Sequence, residues 1–203
     1  MRQNRWLFCG KTGGYFAAKR KTKKEAIKQN DQILVHLNKK PYLCNMRIVI
    51  QRVTQASVTI VEDGMQATAQ NTKRSIGLGY AILIGVCEDD TEEDVDWLVR
   101  KVTGLRVFDD ANGVMNLSIM DVGGECLVVS QFTLFASYKK GNRPSWLRAA
   151  RHEISVPLYE SFCRKLGEAI GKPVATGEFG AMMQVALVND GPVTICMDTK
   201  NKE

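Results

Sequence analysis

The amino-acid sequence predicts an α+β fold: one domain with a mostly antiparallel or mixed sheet and two helices packed on it. Three observations carry that expectation. Strand-like runs outnumber helical ones across residues 46–203. Only two segments, after Thr91 and after Ser155, repeat apolar residues at the spacing of a buried helix stripe. No internal repeat or low-complexity segment interrupts the region, and its length suits a single buried core.

The elements follow in order. From Met46 the run 47–53 is β-branched and 56–61 alternates with period two, so two strands are expected. Glu62-Asp63-Gly64-Met65 supplies an Asp-Gly turn to a further strand, making a meander. Residues 80–86 are apolar on both faces, as a central strand requires. Thr91, with Asp94 three residues on, is a loose capping box, and Val95, Leu98, Val99 and Val102 form the stripe of a helix ending by Gly104. Residues 105–108 return to strand and 109–113 turn. A strand over 125–136 then opens as core and admits Ser130, Gln131 and Thr133 near its end. Lys139-Lys140-Gly141-Asn142-Arg143-Pro144 is a basic loop, either solvated or in contact with phosphate. The second helix is expected from Ser155 as N-cap, with Pro157 in its first turn, Leu158, Phe162, Leu166 and Ile170 as its stripe and Gly171 as its stop. Apolar runs at 179–188 and 193–197 close the chain.

Composition narrows the function. Apolar content of 44% and charged content of 25% are those of an ordinary globular protein. No run approaches the length of a membrane helix and no apolar signal core opens the chain, so a cytoplasmic protein with no membrane role is expected. The cysteines at 9, 44, 87, 126, 163 and 196 never form C-x-x-C and suggest neither zinc nor a redox pair. Cys87, Cys126 and Cys196 read as small buried hydrophobes. With His36 and His152 the only histidines, a histidine-rich metal site is excluded. The net charge of +6 divides unevenly. Residues 1–45 hold 11 of the 28 Lys and Arg, with Glu25 and Asp31 their only acids, for +9; residues 46–203 are left with 17 basic against 20 acidic, or −3. The chain thus divides into a basic extension, 1–45, and a domain, 46–203. The extension reads as a solvated tail or as a segment upstream of a natural start at Met46; RNA binding and a targeting address are the alternatives.

Ordinary hydrolase machinery is missing: no G-x-S-x-G, P-loop, H-E-x-x-H or G-x-G-x-x-G occurs. What remains are Ser130, Gln131 and Thr133 at a strand end, and the hexapeptide Asn189-Asp190-Gly191-Pro192-Val193-Thr194. On residue type, the hydroxyls read more readily as strand-edge groups than as nucleophiles. The hexapeptide has two readings. It is a hairpin turn ending a strand at Pro192, or it holds a cis Gly191-Pro192 bond that presents two carbonyls on one side, an acceptor pair for a small ammonium group.

Ser130-Gln131-Phe132-Thr133 and the hexapeptide together resemble the two signature motifs of the D-aminoacyl-tRNA deacylases. The opening Arg47-Ile48-Val49-Ile50-Gln51-Arg52-Val53 and the run Phe179-Gly180-Ala181-Met182-Met183-Gln184-Val185 are similar to the same family, in the same order, from Met46 to about Met197. The resemblance implies a barrel-like α+β homodimer that hydrolyses the ester between a D-amino acid and the 3′-terminal adenosine of tRNA. Such a chain is a chiral-proofreading hydrolase of translation quality control and uses no metal or organic cofactor. The resemblance further implies a cis Gly191-Pro192 bond whose loop enters the partner subunit's active site, held by Arg52 with Asn189 in support. It implies a pocket floor made by Ser130, Gln131, Phe132 and Thr133, and places Phe179 and Met183 near the adenine ring.

Two mechanistic expectations follow from that assignment. If two carbonyls hold the α-ammonium and a donor at Gln131 or the Phe132 amide holds the ester carbonyl, one direction at the α-carbon meets the Gly191-Pro192 backbone and admits only hydrogen. L-residues are then excluded sterically, and glycine is cleaved. Hydrolysis proceeds either with Thr133 as nucleophile or, the preferred route, with a positioned water assisted by the ribose 2′-hydroxyl. The alternatives are the related deacylases that remove mischarged L-alanine, and a non-catalytic nucleic-acid-binding protein, for which only the basic extension speaks.

Overall fold

The computed structural model describes residues 45–61, 73–139 and 141–202. The expected basic extension, apart from Asn45, lies outside them, as do the Glu62-Asp63-Gly64-Met65 turn and Lys140. The first strands are β1 (Arg47–Val61), β2 (Lys73–Ile76) and β3 (Gly79–Gly85), followed by helix α1 (Glu92–Gly104). Then come β4 (Arg106–Asp109), β5 (Met115–Ser118), β6 (Glu125–Ser130) and a short 3-10 turn (Phe132–Phe135). Helix α2 (His152–Ile170), β7 (Ala175–Thr176) and β8 (Met182–Asp198) complete the order.

β1 is the spine of the sheet. The two strands expected within it are one, 15 residues long, because neighbours support it throughout. β8 runs antiparallel along its length, while β3 pairs residues 47–53 and β2 pairs residues 56–59. β3 then pairs β6 in parallel, Gly79 opposite Glu125 through Ile84 opposite Ser130, and β6 pairs β7 in parallel. The sheet is therefore mixed, and it curls. Arg74 on β2 donates to the Thr176 carbonyl at 2.6 Å and the Gly177 carbonyl at 3.1 Å, tying β2 to β7 at the other end of the strand order. A nearly closed, barrel-like sheet in a single α+β domain results.

The main core lies between the sheet and the two helices. Ile48, Ile50, Ile82 and Ile84 meet Val95, Leu98 and Val102 of α1 and Leu158, Phe162 and Leu166 of α2. Burying each such side chain contributes about 1.5–3 kcal/mol, so alternation along the strands and 3.6-residue spacing on the helices select the same face. α1 begins as expected, with the Thr91 amide donating to Asp94 Oδ2 at 2.9 Å in a capping box. α2 ends as expected, with Gly171 at φ +69° and its amide donating to the Gly167 carbonyl.

Further expectations are corrected. α2 starts at His152, not after Ser155: the Arg151 carbonyl accepts the Ile154 and Ser155 amides at 3.1 and 2.9 Å, which winds an extra turn and leaves Pro157 inside the helix. The strand expected over 125–136 stops at Ser130. Phe135 must turn inward to be buried, and it does so against Gly85, where a Cβ would come 2.8 Å from the Phe135 ring. Cys196 is exposed, whereas Cys126 is fully buried as expected. β5 and β7 were not anticipated; at four and two residues they are too short to carry a periodicity and exist only through their pairing with β4 and β6.

The last correction concerns the hexapeptide. It neither ends a strand nor reverses the chain, because β8 continues through it. Thr194 pairs with Gln51 and Asn189 with Val53, so residues 190–193 are a four-residue bulge standing opposite the single residue Arg52. The Gly191-Pro192 bond is cis.

Candidate active site

At the carboxyl ends of the parallel pair β3 and β6 the sheet opens into a cavity of about 660 Å³. Strand ends contribute Val86, Val129 and Ser130 to its wall. The site is there because Gln131 breaks the β pattern, with ψ 84°, and the chain turns into the 3-10 segment.

The hydrogen bonds around that turn decide which groups are available. The Gln131 amide is committed to the Ile84 carbonyl at 2.7 Å. The Gln131 side-chain amide donates to Thr133 Oγ1, so the Thr133 hydroxyl is held by a group that cannot take its proton. The next two amides, of Phe132 and Thr133, open a helical turn and have no acceptor among the described residues. Ser130, Gln131 and Phe132 line the cavity; Thr133 stands behind Gln131 and does not.

The opposite wall comes from α2 and the segment before β8. Phe179 packs edge-on against His152, ring centroids 4.9 Å apart, and against Tyr159 at 5.8 Å. Met183 completes this wall. Tyr159 Oη donates to the Val128 carbonyl at 3.0 Å, and burial pushes its phenol well above its ordinary pKa. Ser155 Oγ donates to the Arg151 carbonyl at 2.8 Å. Both buried hydroxyls are thus spent on the scaffold. Of His152, Ser155 and Tyr159, only His152 lies before the helix expected from Ser155, and the extra turn of α2 brings it onto the cavity wall. Their spacing of three and then four residues places them on one helical face beside the apolar stripe, a signal that was present.

The remaining candidates sit together elsewhere, at the bulge. Arg52 is 5% exposed. Its Nη1 donates to the Val107 carbonyl at 2.6 Å and lies 3.5 Å from Asp109 Oδ1; its Nε is 3.0 Å from Asp190 Oδ2 and 3.3 Å from the Asp190 carbonyl. Asn189 spans the base of the bulge, Oδ1 accepting from the Val193 amide at 3.0 Å and Nδ2 donating to Thr194 Oγ1 at 3.1 Å. Gly191 has φ +116°, and a Cβ there would lie 3.1 Å from Arg52 Nη2, so the guanidinium packs directly under the glycine. Gly191 and Pro192 are exposed, and neither lines the cavity of their own chain.

Fold and site together define a single-domain α+β protein with an aromatic-walled cleft at the ends of its parallel strands and a rigidly braced bulge on an outer strand. The chain belongs to the D-Tyr-tRNA(Tyr) deacylase family, whose model matches residues 49–198. It is 61% identical over 158 residues to the D-aminoacyl-tRNA deacylase of Phocaeicola vulgatus and 62% identical to that of Bacteroides thetaiotaomicron, in each case 78% of this chain and 100% of the relative. Among solved structures, a c-Myc DNA unwinding element binding protein is 40% identical with a TM-score of 0.65, covering 74% of this chain and 97% of that one. A structure described as that of a "probable eukaryotic D-amino acid tRNA deacylase" superposes with a TM-score of 0.62 over 76% of this chain and 99% of the other; at 18% identity it speaks for the fold alone.

Proposed function

We propose that residues 46–203 form a D-aminoacyl-tRNA deacylase, a cytoplasmic hydrolase that frees D-amino acids from the 3′-terminal adenosine of tRNA. Family membership and the names of its relatives support the activity. The observation that carries the mechanism is the arrangement at Gln131. With its amide taken by Ile84 and its side chain by Thr133, the neighbouring Phe132 amide, at the cavity wall, is the donor left for a developing oxyanion. Among the described residues the Thr133 hydroxyl is bonded by the Gln131 amide and by no base, so the attacking group is a water, assisted by the ribose 2′-hydroxyl of the substrate itself. Ser130 and Gln131 form the floor, and Phe179 and Met183 flank the adenine.

Chirality is assigned to the bulge. The working enzyme is a homodimer in which the exposed apolar residues Met182, Val185, Leu187 and Val188 of β8 are covered by a second copy. Each chain's Gly191-Pro192 bulge, braced by Arg52 and Asn189, then enters the other's cavity. Its backbone carbonyls hold the α-ammonium and leave room for hydrogen alone where an L side chain would point. The discriminating assay is a time course with D-tyrosyl- and L-tyrosyl-tRNA. Cleavage of the D-ester alone is expected; equal rates would end the gate model, and no cleavage would end the deacylase reading.

One solved relative is described as a DNA-binding protein, which keeps a non-catalytic nucleic-acid binder as the second reading. Removing residues 1–45 separates the two. A deacylase retains turnover, whereas a binder driven by the extension's charge loses affinity and its salt dependence.

A further inference from the structure

We propose that Trp146, with the basic residues Lys139 and Arg143 before it, seats the unpaired nucleotides that precede the terminal adenosine of the tRNA substrate; this rests on the deacylase reading above. Trp146 is a shared wall. On one side it lines the active-site cavity, and on the other, with Ala149 in common, it lines a second depression of about 740 Å³ bordered by Glu88, Ser145, Leu147 and Arg151. A polynucleotide whose last nucleotide occupies the first cavity and whose preceding nucleotides occupy the second would cross this ring. Phe132 meets Trp146 edge-on, centroids 5.5 Å apart, and so braces its plane. The reciprocal backbone bonds between Ser137 and Ser145, at 2.8 and 2.9 Å, fix the chain just before it. The indole remains 37% exposed, and base stacking needs such an open, braced aromatic face.

The charge is in the matching place. Residues 46–203 carry −3, yet the 15 residues 138–152 contain five Lys or Arg and no acid. Lys139 and Arg143 are exposed and have no ion pair among the described residues. Arg151 is answered by Glu88 at 3.3 Å, so the loop rather than Arg151 supplies the free cations for phosphate. An acidic domain that handles a polyanion needs such a local rail, and the Ser137–Ser145 pairing ties this one to Trp146.

The test compares D-tyrosyl-tRNA with D-tyrosyl-adenosine, which lacks every upstream nucleotide, as a ratio of kcat/KM values. Trp146→Ala is expected to lower that ratio roughly 5- to 100-fold, the range for losing one base–aromatic stack, and Trp146→Tyr to restore it. The double change Lys139→Ala and Arg143→Ala should flatten the dependence of log kcat/KM for the tRNA on log salt by about 1.4, as for two single-strand phosphate contacts. Titration with CpCpA and with AMP gives the same contrast without turnover: tryptophan fluorescence is quenched further by CpCpA in the wild type, and not in Trp146→Ala. Parallel losses on both substrates, or an unchanged salt slope, overturn the proposal. A wild type that cleaves neither substrate overturns the deacylase reading, and this inference with it.

Discussion

Replacing Arg52 tests whether the bulge is a functional gate or only a packed irregularity. The guanidinium is nearly fully buried and makes one short charge-assisted bond, 2.6 Å to the Val107 carbonyl, whose loss costs about 1.5–3 kcal/mol. Its two carboxylate partners, Asp190 and Asp109, are 40% and 51% exposed, so each pair adds at most about 0.5–1 kcal/mol once solvent screening is counted. Arg52→Ala should therefore destabilise the fold by about 3 kcal/mol, lowering Tm by roughly 6–12 °C for a domain of this size. Arg52→Lys keeps the charge but not the fork that reaches Val107 and Asp190 at once, and should lose about half as much. The decisive reading is functional and is taken well below Tm. If Arg52 fixes the chiral gate, the ratio of D-tyrosyl- to L-tyrosyl-tRNA cleavage falls about tenfold or more in both variants. A lowered Tm with an unchanged ratio would show that Arg52 stabilises the bulge without shaping selectivity, and the gate argument would fail.

Other outcomes follow from the same geometry. Thr133→Ala removes only a hydroxyl held by the Gln131 amide, so kcat should stay within a few-fold of wild type, at a stability cost of about 1 kcal/mol; an acyl-enzyme trapped on Thr133 would contradict the water mechanism. Glycyl-tRNA has no side chain to exclude and should be cleaved at enzyme levels that clear D-tyrosyl-tRNA; if it survives, exclusion is not the basis of selectivity. Asp90 gives a pH signature. Burial, more than the nearby Asp94, raises its pKa from 3.8 to about 6, against the opposing pull of the Cys87 amide and of Lys200, whose Nζ is 3.7 Å away. Because the folded value lies above the unfolded one, its contribution is full below about pH 4 and is lost as pH rises through 6. Stability relative to Asp90→Asn should thus fall by about 1 kcal/mol between pH 5 and pH 7. Urea midpoints that differ by a constant amount across that range would place the Asp90 titration elsewhere.

Legibility in the sequence followed the range of the forces involved. The central strand β3, the capping box at Thr91 and the stop at Gly171 depend on residues within one turn of each other, and each is where local rules put it. The register of β8 depends on β1, about 140 positions earlier, so Pro192 looked like a strand end although the ladder resumes at Thr194. The same limit split the site. Ser130, Gln131, Phe132, Phe179 and Met183 were named from motifs and share one cavity. His152 joins Ser155 and Tyr159 on that cavity wall because α2 gains a turn from the Arg151 carbonyl, ahead of the start that Ser155 and Pro157 suggested.

The division of the named residues into two groups is itself informative. Had the hexapeptide been a turn, Arg52 would have had no reason to be buried beneath it, since a solvated turn satisfies its own carbonyls with water. Instead a buried arginine, an asparagine bridging the base and a glycine too crowded for a Cβ hold a four-residue bulge, exposed at Gly191 and Pro192, on a strand that is otherwise paired along its length. Rigidity in an exposed segment confers no stability on the chain that carries it; it reduces the entropy lost when that segment contacts something else. The contact that makes sense of it is the aromatic-walled cleft at the ends of the parallel strands, and the bulge of one copy is proposed to reach the cleft of another.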